Sequence, residues 1–94
     1  MNKEDLVARL AERMDSTKVQ AAEIVTALFA PDGIIADELA AGGEVSLVGF
    51  GTFEARPVAA RTAHNPQTGA PVAVPAHRRP AFRAGSGLKA RVAA

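Results

Sequence analysis

Large apolar side chains are scarce in this chain, and their scarcity limits the folds that it can adopt. Of the 94 residues 48% are hydrophobic, but 21 of these are alanine, which leaves 24 larger apolar residues and neither tryptophan nor tyrosine. A chain of this length buries about 60–70% of its unfolded surface at best, and few large groups are available to fill that interior. We therefore expect one domain whose core is completed by a second copy, an obligate homodimer. The residues expected in the dimer core are Phe29, Leu47, Phe50, Phe53 and Phe82.

The charges are divided unevenly along the chain. All ten carboxylates lie before residue 55, and with only four bases the segment 1–54 has a charge of −6. Residues 55–94 have seven bases and no acid, a charge of +7. Such an asymmetry is typical of a segment that binds a polyanion, attached to one that neutralises it. The net charge of +1 is therefore compatible with nucleic-acid binding.

Several classes of protein are excluded by composition. The absence of cysteine excludes disulfides, thiolate metal sites and thiol nucleophiles, and we expect no metal and no cofactor. No apolar run approaches the ~18 residues of a transmembrane helix, and the charged opening is unlike a signal peptide. We therefore expect a cytoplasmic protein without membrane contact. His64 and His77 have no carboxylate nearby in sequence, and Gly85-Ser86-Gly87 lacks the G-x-S-x-G spacing of a nucleophile turn. Neither an enzyme nor a small-molecule substrate is expected.

The first half of the chain has the pattern of helices, expected over about residues 3–41. Asn2 is placed to cap the first helix, and Thr17 with Gln20 has the spacing of a capping box for the second. Pro31-Asp32-Gly33 interrupts the apolar stripe of the second helix, which we expect to be kinked or split. Gly42-Gly43 supplies the stop signal.

The second half alternates polar and apolar residues as strands do, and we expect a sheet over about residues 44–57 and 75–84. Gly49-Phe50-Gly51 is expected to form a turn. Between the two sheet segments the large apolar residues nearly vanish, and turn-forming residues cluster at 65–69. This pattern favours a ribbon, or arm, that leaves the sheet and returns over about residues 58–74. Ser86 is placed to cap a C-terminal helix over about residues 86–93.

Four ordered blocks resemble the HU/IHF family of bacterial histone-like DNA-bending proteins. They are Val48-Gly49-Phe50-Gly51-Thr52-Phe53-Glu54, Ala59-Ala60-Arg61, Asn65-Pro66-Gln67-Thr68-Gly69 and Pro80-Ala81-Phe82-Arg83-Ala84-Gly85. The resemblance covers essentially the whole chain. It implies an α+β fold, in which an intertwined homodimer, or a heterodimer with a paralogue, has a helical base beneath an antiparallel β-sheet saddle. Two β-ribbon arms then embrace double-stranded DNA in the minor groove, and a proline at each tip wedges between base pairs. Here that intercalating proline would be Pro66.

The resemblance and the basic second half together predict the DNA contacts. Arg61 is expected at the minor-groove edges or the flanking phosphates, because a narrow groove has a negative potential that favours arginine. Bases beside the arm and on the last helix are expected at phosphates of the saddle and its flank. The predicted DNA-binding residues are Lys3, Arg56, Arg61, His64, Asn65, Pro66, Gln67, Thr68, Arg78, Arg79, Arg83 and Lys89.

Three features depart from the family pattern. Thr62-Ala63-His64 stands where the arm usually has Lys-Gly-Arg or Thr-Gly-Arg, and Val58 stands where a base is common. The third is the Pro31-Asp32-Gly33 insertion. The arm therefore loses cations and gains a histidine, the residue type whose charge changes between pH 5 and 8. We expect its binding to be weaker than is typical.

The predicted function is that of a nucleoid-associated architectural protein that binds duplex DNA with little sequence preference and bends and compacts it. Two alternatives stay open: a sequence-specific DNA-bending factor of the IHF type, and a β-ribbon module that binds protein. Binding of single-stranded nucleic acid would normally require aromatic stacking platforms, and the phenylalanines are better used as core.

Overall fold

The computed structural model describes residues 1–94, which form two units, Met1–Ala41 and Gly42–Ala94. The first unit consists of three helices, and the second of five strands followed by a helix. The class is α+β, as predicted. The elements are α1 (Lys3–Met14), α2 (Lys18–Phe29), α3 (Ile34–Ala40), β1 (Glu44–Leu47), β2 (Gly51–Val58), β3 (Arg61–His64), β4 (Pro71–Val74), β5 (His77–Ala84) and α4 (Ser86–Ala93).

Reciprocal hydrogen bonds between side chain and backbone begin the first two helices, as the sequence predicts. The Asp5 N–H donates to Asn2 Oδ1 at 3.0 Å, and the Asn2 N–H donates to Asp5 Oδ2 at 3.1 Å. The Gln20 N–H donates to Thr17 Oγ1 at 3.1 Å, and the Thr17 N–H donates to Gln20 Oε1 at 3.2 Å. Each capping box satisfies two backbone donors that the helix itself leaves unpaired.

A tight turn at residues 30–33 separates α2 from α3, which confirms the prediction of a split helix. Pro31 has no amide hydrogen with which to continue α2, and the Gly33 N–H donates to the Ala30 carbonyl at 2.8 Å. A Cβ at position 33 would lie 2.9 Å from the Ala27 carbonyl oxygen and 3.0 Å from that of Ala30. The turn therefore requires glycine at this position.

The segment Lys18–Ala40 is long and apolar enough to cross a membrane by length and composition alone, with a mean hydropathy of 1.4 in its most apolar window. The expectation that no apolar run approaches the ~18 residues of a transmembrane helix was therefore wrong. A core helix of a soluble protein meets the same criterion. Here the segment is divided into α2, with 12 residues, and α3, with 7. Each is shorter than the ~20 residues that a membrane-spanning helix needs.

Strands β1, β2 and β5 form an antiparallel sheet in that order, and β3 and β4 form a separate two-stranded ribbon. Strand β1 pairs only with residues 51–54 of β2, so residues 55–58 of β2 pair on one side only, with β5. Pro57 lies in this half-paired stretch and Pro80 lies on the edge strand β5. Sheets tolerate proline at such edge positions.

Side-chain alternation gives the three-stranded sheet two different faces. The apolar face includes a phenylalanine cluster in which the Phe82 ring lies 4.9 Å from that of Phe53 and 5.6 Å from that of Phe50, between centroids. The registered pairs place most charged residues on the other side, which we call the polar face. The members of the polar face are Glu44, Ser46, Thr52, Glu54, Arg56, Val58, His77, Arg79, Ala81 and Arg83.

Very little of either unit is buried. The buried hydrophobic residues are Ala11, Ala21 and Val25, and no large side chain is fully buried. Of the predicted dimer-core residues, four are between 41% and 55% exposed, namely Phe29, Leu47, Phe50 and Phe82. Apolar surface of this extent marks an interaction site. The burial pattern is that of a chain which lacks part of its core.

The start of α4 differs from the prediction. Ser86 is the first residue of the helix and not its cap, because Gly85 occupies the cap position and no side chain caps the helix. The Leu88 N–H instead donates to the Gly49 carbonyl at 2.9 Å. A Cβ at Gly87 would lie 2.7 Å from that same carbonyl oxygen. The turn between β1 and β2 therefore caps α4 through its backbone, and glycine permits the close approach.

Candidate nucleic-acid interface

The arm consists of β3, β4 and the tip that joins them, residues 65–70. Arg61 lies opposite Val74 and His64 opposite Pro71 in an antiparallel register. None of the arm residues is buried, and all six tip residues are exposed. An isolated two-stranded ribbon is marginally stable in water, so this arm has the character of an element that a bound partner orders. The major groove of duplex DNA has room for a two-stranded ribbon, and proteins that bind the narrower minor groove deform the duplex.

Hydrogen bonds centred on Asn65 define the shape of the tip. Its Oδ1 accepts the Gln67 N–H at 2.9 Å, and its carbonyl accepts the Gly69 N–H at 2.7 Å. The Asn65 N–H donates to the Ala70 carbonyl at 2.9 Å, and Gly69 adopts φ +70°. Pro66 is exposed inside this network, and its ring fixes the backbone φ angle. The tip therefore presents a rigid apolar ring that needs no hydrogen-bond partner.

The remaining polar residues of the tip differ in whether their side chains are hydrogen-bonded within the turn. Thr68 Oγ1 accepts the Ala70 N–H at 3.3 Å, so this side chain, like that of Asn65, is used within the turn. The Gln67 side chain makes no hydrogen bond inside the protein and is exposed, as is His64 at the end of β3. Gln67 in the tip and His64 beside it, at the end of β3, are thus the side chains free to meet the edges of a groove.

The bases beside the arm divide into two sets that the sequence did not distinguish. Arg79 and Arg83 lie on the polar face, are exposed, and form no ion pair or side-chain hydrogen bond. Arg78, one residue away, lies on the side of the sheet that carries the phenylalanines. Its Nη1 occupies space 2.8 Å from where a Cβ of Gly42 would be. Strand alternation therefore separates Arg78 from the two neighbours with which it was grouped.

Arg56 lies on the polar face but has an acidic partner. Its Nε lies 2.8 Å from Glu54 Oε1, in an ion pair between two residues of the same strand. Alternation alone would have predicted that these two side chains share a face. Arg56, predicted from the sequence as a DNA contact, is therefore not a free base.

The last two predicted bases lie on helices. Lys89 is exposed on α4, a helix with no acidic residue. Lys3 belongs to the helical unit, where its Nζ donates to Thr26 Oγ1 at 3.2 Å. Because the threonine hydroxyl is neutral, this bond orients the ammonium group and leaves its charge uncompensated.

Comparison with known proteins identifies one family over the whole chain. A family model described as bacterial DNA-binding protein matches residues 1–93. The DNA-binding protein HU of Streptococcus thermophilus is 49% identical over 88 residues, which are 94% of this chain and 93% of that protein. The DNA-binding protein HU of Staphylococcus aureus is 48% identical over 89 residues, 95% of this chain and 96% of that protein.

Solved structures agree with the sequence relatives. The Anabaena HU–DNA cocrystal structure matches with a TM-score of 0.88 and 43% identity, and covers 99% of this chain and 98% of that one. An HU mutant from Thermotoga maritima matches with a TM-score of 0.69 and 27% identity, over 98% of this chain and 99% of that one. With a family model that spans nearly every residue and relatives close to half identical, this chain belongs to the bacterial DNA-binding protein family that includes the HU proteins.

Proposed function

We propose that this protein is a nucleoid-associated architectural protein of the bacterial cytoplasm, which binds duplex DNA with little sequence preference and bends and compacts it. The observation that carries the proposal is the exposed arm with Pro66 held at its tip, on a unit that has seven bases and only two acids. The relatives support the HU type over the sequence-specific IHF type, since they are named HU.

In this proposal most of the affinity comes from phosphate contacts and most of the bending comes from the arm. Arg61, Arg79, Arg83, Lys89 and Lys3 neutralise phosphates, a contact that does not depend on base sequence. His64 and Gln67 meet the minor-groove edges, while Asn65 and Thr68 keep the tip in shape. Pro66 enters a base step from the minor groove and unstacks it, which kinks the duplex toward the major groove.

The second copy follows from the burial pattern. A single chain leaves Phe29, Leu47, Phe50 and Phe82 between 41% and 55% exposed, and pairing two chains would cover them. A pair also carries two arms, so the two wedges act on one duplex and their bends add. We therefore place the homodimer, rather than the single chain, as the DNA-binding species.

Sedimentation equilibrium is expected to give twice the chain mass of 9.7 kDa at micromolar protein. The physical reason is that one chain buries no large side chain completely, so folding and association occur together. Dilution should then reduce helical circular dichroism and dimer content in parallel. A folded species of one chain mass at micromolar concentration would contradict the argument from the incomplete core.

Changing Arg61 to glutamine is expected to weaken binding to all duplex sequences by a similar factor. One phosphate contact fewer should lower the slope of log affinity against log salt by about 0.9. Filter binding from 50 to 200 mM salt measures this slope. Arg91→Gln, which removes a charge from the last turn of α4, is the matched control and should leave the slope unchanged. If both variants kept the parent slope, Arg61 would not be a phosphate contact.

Competition binding tests the function itself against its alternatives. We expect random-sequence duplex to compete about as well as any defined site, with a steep dependence on salt. One site that outcompetes random duplex by more than a thousandfold would indicate the IHF type. A linear, nicked and cruciform duplex series then identifies the preferred DNA shape. Absence of salt-dependent duplex binding would favour the protein-interaction module.

A further inference from the structure

The arginines on the polar face of the sheet are not equivalent. Arg56 and Arg79 lie directly opposite each other on β2 and β5. They have the same charge, lie on the same face of the sheet, and are both exposed to solvent. Arg56 is paired with Glu54 at 2.8 Å, whereas Arg79 has no acidic partner. One of two adjacent cations is thus compensated and the other is not.

The register of the sheet explains why this pair forms. Glu54 lies directly opposite Glu44, and Arg56 lies directly opposite Arg79. Like charges at such positions repel each other. The contact between Glu54 and Arg56 relieves both repulsions at once. The Glu54 side chain is only 20% exposed, so water screens this pair less than it would a fully exposed one.

A contact between Arg56 and a phosphate would therefore be unfavourable in free energy in one of two ways. Either the pair with Glu54 breaks and leaves a half-buried carboxylate beside Glu44, or the pair stays and brings Glu54 close to the phosphate. We infer that Glu54 keeps Arg56 from binding phosphate, and so sets how many cations this sheet offers to DNA. The inference rests on the proposed function, because it assumes that the polar face meets duplex DNA.

The decisive variant is Glu54→Gln, which keeps the shape of the side chain and removes its charge. Release of Arg56 is expected to tighten duplex binding about two- to fivefold, the range of exposed ion pairs. It should also make the slope of log affinity against log salt steeper by about 0.9, one additional phosphate contact. The control is Glu44→Gln, which removes the same charge from the directly opposite position without freeing Arg56. It should leave the slope unchanged.

The two facing arginines give an independent test. Arg79→Gln should reduce the salt slope by about 0.9, while Arg56→Gln should leave it as in the parent. In the Glu54→Gln background the outcome for Arg56 reverses, and Arg56→Gln should cancel the gain in affinity and slope. This double-mutant cycle isolates the coupling between the two residues. Circular dichroism of each variant checks that the fold is retained.

The outcomes separate this inference from the proposed function. If the parent protein shows no salt-dependent duplex binding, the proposed function fails. If the parent binds but Glu54→Gln and Glu44→Gln tighten binding equally, the effect is one of overall charge and the inference is overturned. Equal loss of slope in Arg56→Gln and Arg79→Gln would also overturn it, because both arginines would then contact phosphate.

Discussion

Changing Pro66 to alanine is expected to remove most of the DNA bend while most of the affinity remains. The substitution deletes most of the apolar ring at the tip and leaves every cation in place. Unstacking a base step costs a few kcal/mol, which the extra contacts of a bent duplex offset. Without the wedge, neither the unstacking cost nor the extra contacts of the bent duplex remain. Affinity for linear duplex should therefore fall by only about 1–2 kcal/mol.

Fluorescence transfer between the ends of a short duplex, or its ring closure, measures the bend. Pro71→Ala is the matched control, because it makes the same change in the same ribbon but in β4 instead of the tip. It should bend DNA as the parent does. The Pro66 variant should also lose part of any preference for nicked DNA, where less unstacking is needed. A Pro66 variant that bends DNA as strongly as the parent would reduce residues 65–69 to an ordinary surface turn.

A methyl group at Gly51 is expected to destabilise the protein by about 2–4 kcal/mol. Its Cβ would lie 2.5 Å from Phe82 Cζ and 2.6 Å from the Arg83 carbonyl oxygen. The carbonyl belongs to the paired strand and cannot withdraw, so the Phe82 ring and the register of β2 with β5 must shift together. Because Phe82 belongs to the exposed apolar surface, the dimer should weaken as well.

Gly49→Ala separates crowding from backbone strain. Gly49 has φ +81°, and a Cβ there would meet nothing within 4 Å. Its substitution should cost about 1–2 kcal/mol, the ordinary penalty of a left-handed conformation. Urea unfolding at equal protein concentration compares the two variants through their midpoints. Equal losses would mean that the close approach to Phe82 contributes nothing to the effect of Gly51→Ala.

Features of the fold that depend on neighbours in sequence could be predicted from sequence. The capping boxes at Asn2 and Thr17 join residues three apart, and the break at Pro31 follows from a missing amide hydrogen. The tip of the arm is equally local, since the bonds around Asn65 span at most five residues. For such features the residue types alone determine the geometry.

Features that depend on register or on distant contacts were missed. The sequence grouped Arg78 with Arg79, although a period of two already places neighbours on opposite faces. The Glu54–Arg56 pair has the same period and could have been found. The cap of α4 could not, because the Gly49 carbonyl lies 39 residues from the Leu88 amide that donates to it. The candidate site as a set of DNA contacts remains a prediction, which the Arg61, Arg79 and Pro66 variants test.

The capping of α4 by a distant turn has a consequence for the order of folding. A helix of eight residues is too short to persist alone in water, and α4 has no side-chain cap of its own. We therefore expect it to form only after the turn between β1 and β2 has closed and presented the Gly49 carbonyl. The amides of Gly85 and Leu88, which donate to Phe50 and Gly49, would then open to hydrogen exchange as one cooperative unit with that turn. In that order of events, Lys89 would reach its place only after the hairpin is complete.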